Sequence, residues 1–161
     1  MGRFYGDWDS VPIKLTFIQG IINRGMKEQL QKLGEDYVEA VRRHIEVQNL
    51  PIIPLADSTV RKKGHADWLR DSEEFIDKLK YKVDDNSSTF IVIAGAHEED
   101  KHQGAGVSMK RLAEWQEYGT YSIPPRPVFQ LTAEKFKHKD VKSPIMAEVA
   151  AIWGSKFKRR K

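Results

Sequence analysis

From Ile22 onward apolar residues recur in steps of three and four, at Ile22, Met26, Leu30, Leu33, Tyr37, Val41 and Ile45, the period of one stripe on an α-helix. The spacing predicts a long amphipathic helix ending near Asn49, ahead of Pro51, with Gly25 and Gly34 as points of bending or early break. Before it, Val11, Ile13, Leu15 and Phe17 alternate with Pro12, Lys14 and Thr16, and a period of two predicts a short strand with Pro12 at an edge. Residues 49–66 have no sustained period and read as a long exposed loop. Alternation returns over Phe75 to Val83 and in Thr89 to Ala94, separated by the turn residues Asp84 to Ser88, and predicts a hairpin whose second strand is buried on both faces. Residues 97–108, polar and bearing glycine, should be a mobile connection. Three helices should follow: Met109–Tyr118 closed by Gly119, Val128–Lys137, and Pro144–Phe157 with Ser143 as its cap and Ile145, Val149, Ile152 and Trp153 on one side. The class is α+β: a small, mostly antiparallel sheet packed with one long amino-terminal helix and shorter carboxyl-terminal helices.

At 161 residues, 40% hydrophobic, the chain suits one domain over residues 1–155, followed by a basic tail at 156–161. It has no cysteine, which excludes disulfides, thiolate metal ligands and a cysteine nucleophile. No stretch approaches the roughly 20 apolar residues of a membrane span. The amino end, with Trp8 between Asp7 and Asp9, lacks the basic-then-apolar order of a signal peptide. A soluble, unexported protein without membrane contact is expected. The net charge of +4 is unevenly spread: nine cations against three carboxylates lie beyond residue 133, so the remainder is slightly acidic. Lys156, Phe157, Lys158, Arg159, Arg160 and Lys161 therefore form a candidate contact for DNA or for an acidic protein face.

Catalytic chemistry has few candidates. His97-Glu98-Glu99-Asp100-Lys101-His102 holds two imidazoles and three carboxylates, yet its spacing matches neither a zincin helix nor an EF-hand loop, and a solvated loop explains it better. Gly104-Ala-Gly106 lacks the order of a phosphate-binding loop and reads as a hinge. Asp84 and Asp85 are turn residues, and His44, His65 and His138 read as surface residues. No enzyme activity and no cofactor or metal are expected.

Leu112 to Phe129 stands apart: a helix carrying Trp115 and Tyr118 stops at Gly119-Thr120, and a stiff extended run, Ile123-Pro-Pro-Arg-Pro127, follows. Either the aromatics are core and the prolines stiffen a corner, or the segment docks on a neighbour through Arg126. Glu117-Tyr-Gly-Thr120 followed by Ile123-Pro-Pro-Arg-Pro-Val-Phe129 resembles the E-[FY]-G-T … P-x-R-P-F pattern of tailed-bacteriophage neck and tail-completion proteins, also described as minor tail or virion-morphogenesis proteins. The long first helix, the polar loop Leu55 to Gly64 and Trp68-Leu-Arg-Asp-Ser72 before a hairpin are similar in order, over roughly residues 20–153. The chain departs from the pattern at Asp71-Ser72 and at Val128. The resemblance implies a structural virion protein forming a homo-oligomeric ring, expected to be hexameric, at the head–tail junction, as neck, tail completion or tail terminus. Its partners would be head-connector and tail-tube proteins, with DNA passing through the lumen without sequence-specific binding. Its location would be the virion, with assembly in the host cytoplasm. On this reading Trp115, Tyr118, Gly119, Thr120, Pro124, Pro125, Arg126, Pro127 and Phe129 are candidate subunit-interface residues. The alternative is a nucleic-acid-binding accessory protein acting through its basic end, and a metal-dependent hydrolase at His97–His102 comes third.

Overall fold

The computed structural model describes residues 11–70, 73–84, 89–104 and 106–156, with the backbone alone for 11–14 and 152–156. The order is α1 (Val11–Val47), α2 (Asp57–Lys63), α3 (Glu74–Asp77), β1 (Lys80–Asp84), β2 (Ile91–Gly95), α4 (Met109–Tyr118), α5 (Val128–Phe136) and α6 (Lys142–Lys156). This is the α+β architecture expected, its sheet a single antiparallel pair in which Tyr81 faces Ala94 and Val83 faces Val92. The chain groups into two compact units, one within Met1–Leu30 and Asp140–Lys161, the other Gln31–Lys139.

In the larger unit, Val38, Val41 and Ile45 of α1 meet Trp68, Phe75, Ile76, Leu79, Met109, Ala113 and Val128 in one core. Each large apolar side chain taken fully from water contributes about 1.5–3 kcal/mol. The buried stripe of α1 here is Gly34, Val38, Val41 and Ile45, rotated from the predicted one, whose Leu33 and Tyr37 are only half-buried. Gly34 is the reason: a Cβ there would stand 2.8 Å from Val92 Cγ2 and 2.9 Å from the Tyr81 ring, so its bare backbone sets how closely α1 lies on the hairpin. The helix is not broken at either glycine.

Two local devices close this core. Arg42 donates from Nη2 to the Leu79 carbonyl at 2.7 Å and from Nε to that of Ile76 at 3.3 Å, tying α3 to α1. Gln48, at φ 54° just past α1, pairs its amide with the Trp68 backbone, accepting from N at 3.0 Å and donating to O at 3.1 Å.

Several expectations are corrected. Val11 to Phe17 is the first part of α1, not a strand: Pro12 fits a first helical turn, whose N–H groups have no intrahelical partner, and Leu15 and Phe17 are exposed, so their alternation marks no buried face. Phe75, Ile76 and Leu79 are placed inward by a helical turn rather than by a strand. The second strand is not buried on both faces: Ile91 and Ile93 are exposed, because α1 covers only one side of the pair. The loop at 49–66 contains α2, none of whose residues is buried. In α6, Asp140 rather than Ser143 is the cap, its Oδ1 accepting from Lys142 N at 2.9 Å and Ser143 N at 3.0 Å; the Ser143 side-chain hydrogen bond first, and then these backbone bonds, lower its pKa. Within the smaller unit, Ile145 lies against Gly25, whose Cβ would stand 3.4 Å from Ile145 Cγ1, and Arg24 pairs with Glu148 at 2.8 Å.

The two glycines of α1 predict opposite responses. Gly34→Ala gains helix propensity of about 1 kcal/mol but forces the hairpin outward, and overpacking costs about 1–3 kcal/mol, so its urea midpoint should fall. Gly25→Ala places a methyl at ordinary contact distance and should leave the midpoint unchanged or raise it. Equal destabilisation by both would contradict this account of α1.

Candidate functional site

The end of α4, the turn after it and the start of α5 form one bonded corner. Gly119 has φ +77°, and a Cβ there would stand 2.7 Å from the Ile123 carbonyl oxygen and 2.9 Å from Pro125 N, so only glycine fits. Thr120 closes the turn: its N–H donates to Ile123 O at 2.8 Å, and its Oγ1 accepts from Ser122 N at 3.3 Å and Ile123 N at 3.1 Å.

Arg126 is 4% exposed. Its Nε donates to Ile53 O at 2.9 Å, Nη2 to Pro54 O at 3.1 Å and Nη1 to Gln116 Oε1 at 3.4 Å, while its backbone N–H donates to Gln116 O at 2.6 Å. Burial lowers the guanidinium pKa without discharging it. The planar fork matches carbonyls that point out of residues 53–54, which sit in no strand or helix.

Glu117, also buried, supplies the cap that Pro127 cannot. Its Oε2 accepts from Phe129 N at 3.0 Å and its Oε1 from Gln130 N at 2.7 Å, at the positive end of α5. Burial raises its pKa, opposed by these bonds. Tyr37 of α1 donates its hydroxyl to Phe129 O at 2.9 Å, and burial and the Glu117 charge push that phenol up to about 12.

The nine candidate interface residues therefore divide. Arg126 lies inside; Trp115, Gly119, Pro127 and Phe129 are half-buried, with the Arg111 guanidinium over the Trp115 ring; Tyr118, Thr120, Pro124 and Pro125 are exposed. Tyr121, which the sequence did not single out, is fully exposed at the tip of the turn. Of the basic end, Lys156 closes α6, and Phe157, Lys158, Arg159, Arg160 and Lys161 lie outside the described residues.

The 97–108 connection, expected to be mobile, carries internal bonds. His97 is buried and donates Nε2–H to Lys80 O at 3.1 Å, Asp100 pairs with Lys80 at 2.6 Å, and Met109 N donates to Asp100 O at 2.7 Å. Glu99 lies against Lys82 and Lys80, and chiefly the Lys82 ammonium holds its carboxyl down at about 2. His102 accepts at Nδ1 from Gly104 N at 3.1 Å, while its Nε2 faces Glu74 at 3.6 Å. Among the described residues no group of three or more His, Asp or Glu side chains is placed to hold a metal ion. His44, expected at the surface, is buried between Asn49, 2.6 Å from its Nδ1, and Lys135, 2.9 Å from its Nε2.

A cleft of about 390 Å³ opens beside the corner, with α2 on one side and residues 122–126 on the other. Leu55, Leu69, Phe75 and Leu112 supply its apolar surface, Thr59, Ser122 and Gln116 its neutral polar groups, and Lys63 and Arg126 its charge. No helix among the described residues is long and apolar enough to cross a membrane.

Arg126→Ala should lower stability by about 2–4 kcal/mol, because two backbone carbonyls lose a charged donor and a buried fork is left empty. Arg126→Lys should recover little of it, since an ammonium cannot reproduce the planar pattern. A wild-type urea midpoint in Arg126→Ala would show the clamp to be idle. For Glu117 the sign follows from burial: with its folded pKa raised, its contribution is complete below the ordinary carboxylate value of about 4.3 and is lost as pH rises through the raised value. Glu117→Ala should cost about 1–2 kcal/mol, with the wild type's margin largest near the acid end of that window. Glu117→Gln, which cannot ionise, should flatten the dependence; an unchanged slope would assign it to other groups.

Comparison of the chain with protein-family models, with curated proteins and with solved structures finds no match.

Proposed function

We propose that this chain is a structural virion assembly protein that forms a ring at the phage head–tail junction, as a neck, tail-completion or tail-termination component through which DNA passes. The observation that carries this reading is the corner at residues 116–130. The elements on which the resemblance rests, Glu117-Tyr-Gly-Thr120 and Pro125-Arg-Pro127, are bonded into one rigid unit, with Tyr118 and Tyr121 exposed upon it. A prestiffened projection with large exposed aromatics suits a subunit contact, since little ordering entropy remains to be lost on binding and aromatic anchors dominate interface energies.

Arg126 acts in this reading as the strut that holds the projection, and the contact itself falls to Tyr118, Tyr121, Pro124 and Pro125. A tubular particle needs a head-to-tail contact between identical subunits, which closes a ring when the rotation permits. The alternative, DNA binding through the basic end, rests on the excess of cations beyond residue 133.

The test is the paired exchange Tyr118→Ser and Tyr121→Ser. Both side chains are exposed, so the thermal midpoint should stay within a few degrees of wild type. Removing two anchors of about 2 kcal/mol each should weaken ring formation, viewed by electron microscopy, and lower the yield of joined heads and tails at least tenfold. Normal joining by the folded double variant would overturn the reading. Normal joining combined with salt-sensitive DNA binding that disappears on deletion of 156–161 would establish the alternative.

A further inference from the structure

We propose that the cleft between α2 and the 122–126 corner takes the amino-terminal segment Phe4–Asp9 of a second copy of this chain, with Trp8 as the anchor and Asp7 and Asp9 against the basic wall. The inference rests on the self-association of the assembly reading but adds a different contact from the tyrosine projection.

The cleft specifies its ligand chemically. Its volume of about 390 Å³ lies within the range of built ligand sites, and its floor of Leu55, Leu69, Phe75 and Leu112 offers apolar surface for a large ring. Among the described residues that line it none is acidic, while Lys63 and Arg126 are cationic; on the same short helix as Lys63, Arg61 and Lys62 stand exposed, with one carboxylate, Asp57, at its start. Glu74, which touches one wall through His102, is engaged by the Gln103 backbone N–H at 3.0 Å. An apolar anchor flanked by negative charge complements such a surface.

The chain itself contains that chemistry. Of its four tryptophans, Trp8 alone has acidic residues on both sides. Trp68 is core, and Trp115 lies under Arg111. Phe4 and Tyr5 add aromatic area close by in sequence. These residues lie outside those the structure describes. Exchange of such a segment from copy to copy gives a directional, head-to-tail contact, the kind a ring requires.

The natural chain has no cysteine, so paired single-cysteine variants of the full-length protein report the contact without background. Ser10→Cys in one copy, which preserves Phe4 to Asp9, is mixed with Ser122→Cys in the other, on the wall of the cleft. Mild air oxidation should give the mixed disulfide dimer at about tenfold or more the yield of Ser10→Cys with His138→Cys, because docking raises the effective concentration of the two thiols. His138 is exposed and does not line the cleft. Adding Trp8→Ala to the first copy, or Lys62→Glu with Lys63→Glu to the second, should bring the yield down to that of the control; α2 has no buried residue for those changes to disturb. Equal yields with both partners, or a high yield that survives Trp8→Ala, would overturn the proposal. So would a chain carrying both Ser10→Cys and Ser122→Cys that closes on itself faster than the mixed pair cross-links. Rings without the cross-link would sink this contact and leave the assembly reading standing, whereas the cross-link with normal joining by the Tyr118 and Tyr121 variant would do the reverse.

Discussion

Arg126 carries a full positive charge to a position 4% exposed, and the acceptors that meet it come from residues 53 and 54 and from the last turn of α4. A charge buried without such partners costs several kcal/mol, so the guanidinium tolerates no loose arrangement of either segment. Its neighbour in the bonding scheme follows at once in sequence. Gln116 receives Arg126, while Glu117 turns to cap α5 through Phe129 N and Gln130 N. Two successive side chains on one helix end thus fix the loop before α2 and the helix after the corner. Tyr37 adds α1 through the Phe129 carbonyl. The prolines contribute by fixing φ where the chain must stay extended between these anchors.

The same dependence explains what the sequence could and could not reveal about the site. Gly119 as a helix end and the proline run as a stiff extended segment were legible, because each acts through its own backbone; the service of the Thr120 side chain in closing the turn was not. The role of Arg126 was not, because its acceptors are main-chain carbonyls more than seventy residues away, and carbonyls have no letter in the sequence. An arginine in an exposed-looking proline run reads as a docking group; only the fold brings residues 53–54 to it. Glu117 was hidden differently. It sits in α4, so its service as cap to the next helix leaves no mark in α5, where Pro127 holds the capping position without a side chain able to accept. Tyr121 carried no periodic signal at all, since a turn residue belongs to no stripe.

For the fold, legibility followed the strength of the period. The long helix, α4, α6 and the second strand were readable from apolar spacing, although the first strand was begun too early, over the residues of α3, and the buried face of α1 was rotated by the demands of Gly34 against Tyr81 and Val92. Small residues carry no weight in a hydrophobic stripe, yet here the smallest one decides which stripe faces the sheet. Alternation failed where it was short. Val11 to Phe17 satisfies a period of two and lies in a helix, and Ile91 and Ile93 are apolar on a face that nothing among the described residues of their unit covers. Four or five residues of either pattern are compatible with both structures, and length then decides in favour of the helix that can extend into its neighbour.

The corner and the cleft share one wall. Ser122, Ile123, Pro124 and Arg126 line the cavity, and Tyr118 and Tyr121 of the same corner are exposed. A ligand in the cleft therefore presses on a segment that cannot yield without breaking the Arg126 fork, the Gly119 turn and the cap of α5 together. Such a wall deforms less readily than a loop held by side-chain packing alone, because close-packed and bonded elements have discrete arrangements rather than a continuum. The proposed ring would depend on such stiffness between successive contacts more than on the strength of either one. The buried Arg126 fork, bonded to the Ile53 and Pro54 carbonyls and to Gln116, supplies stiffness of that kind.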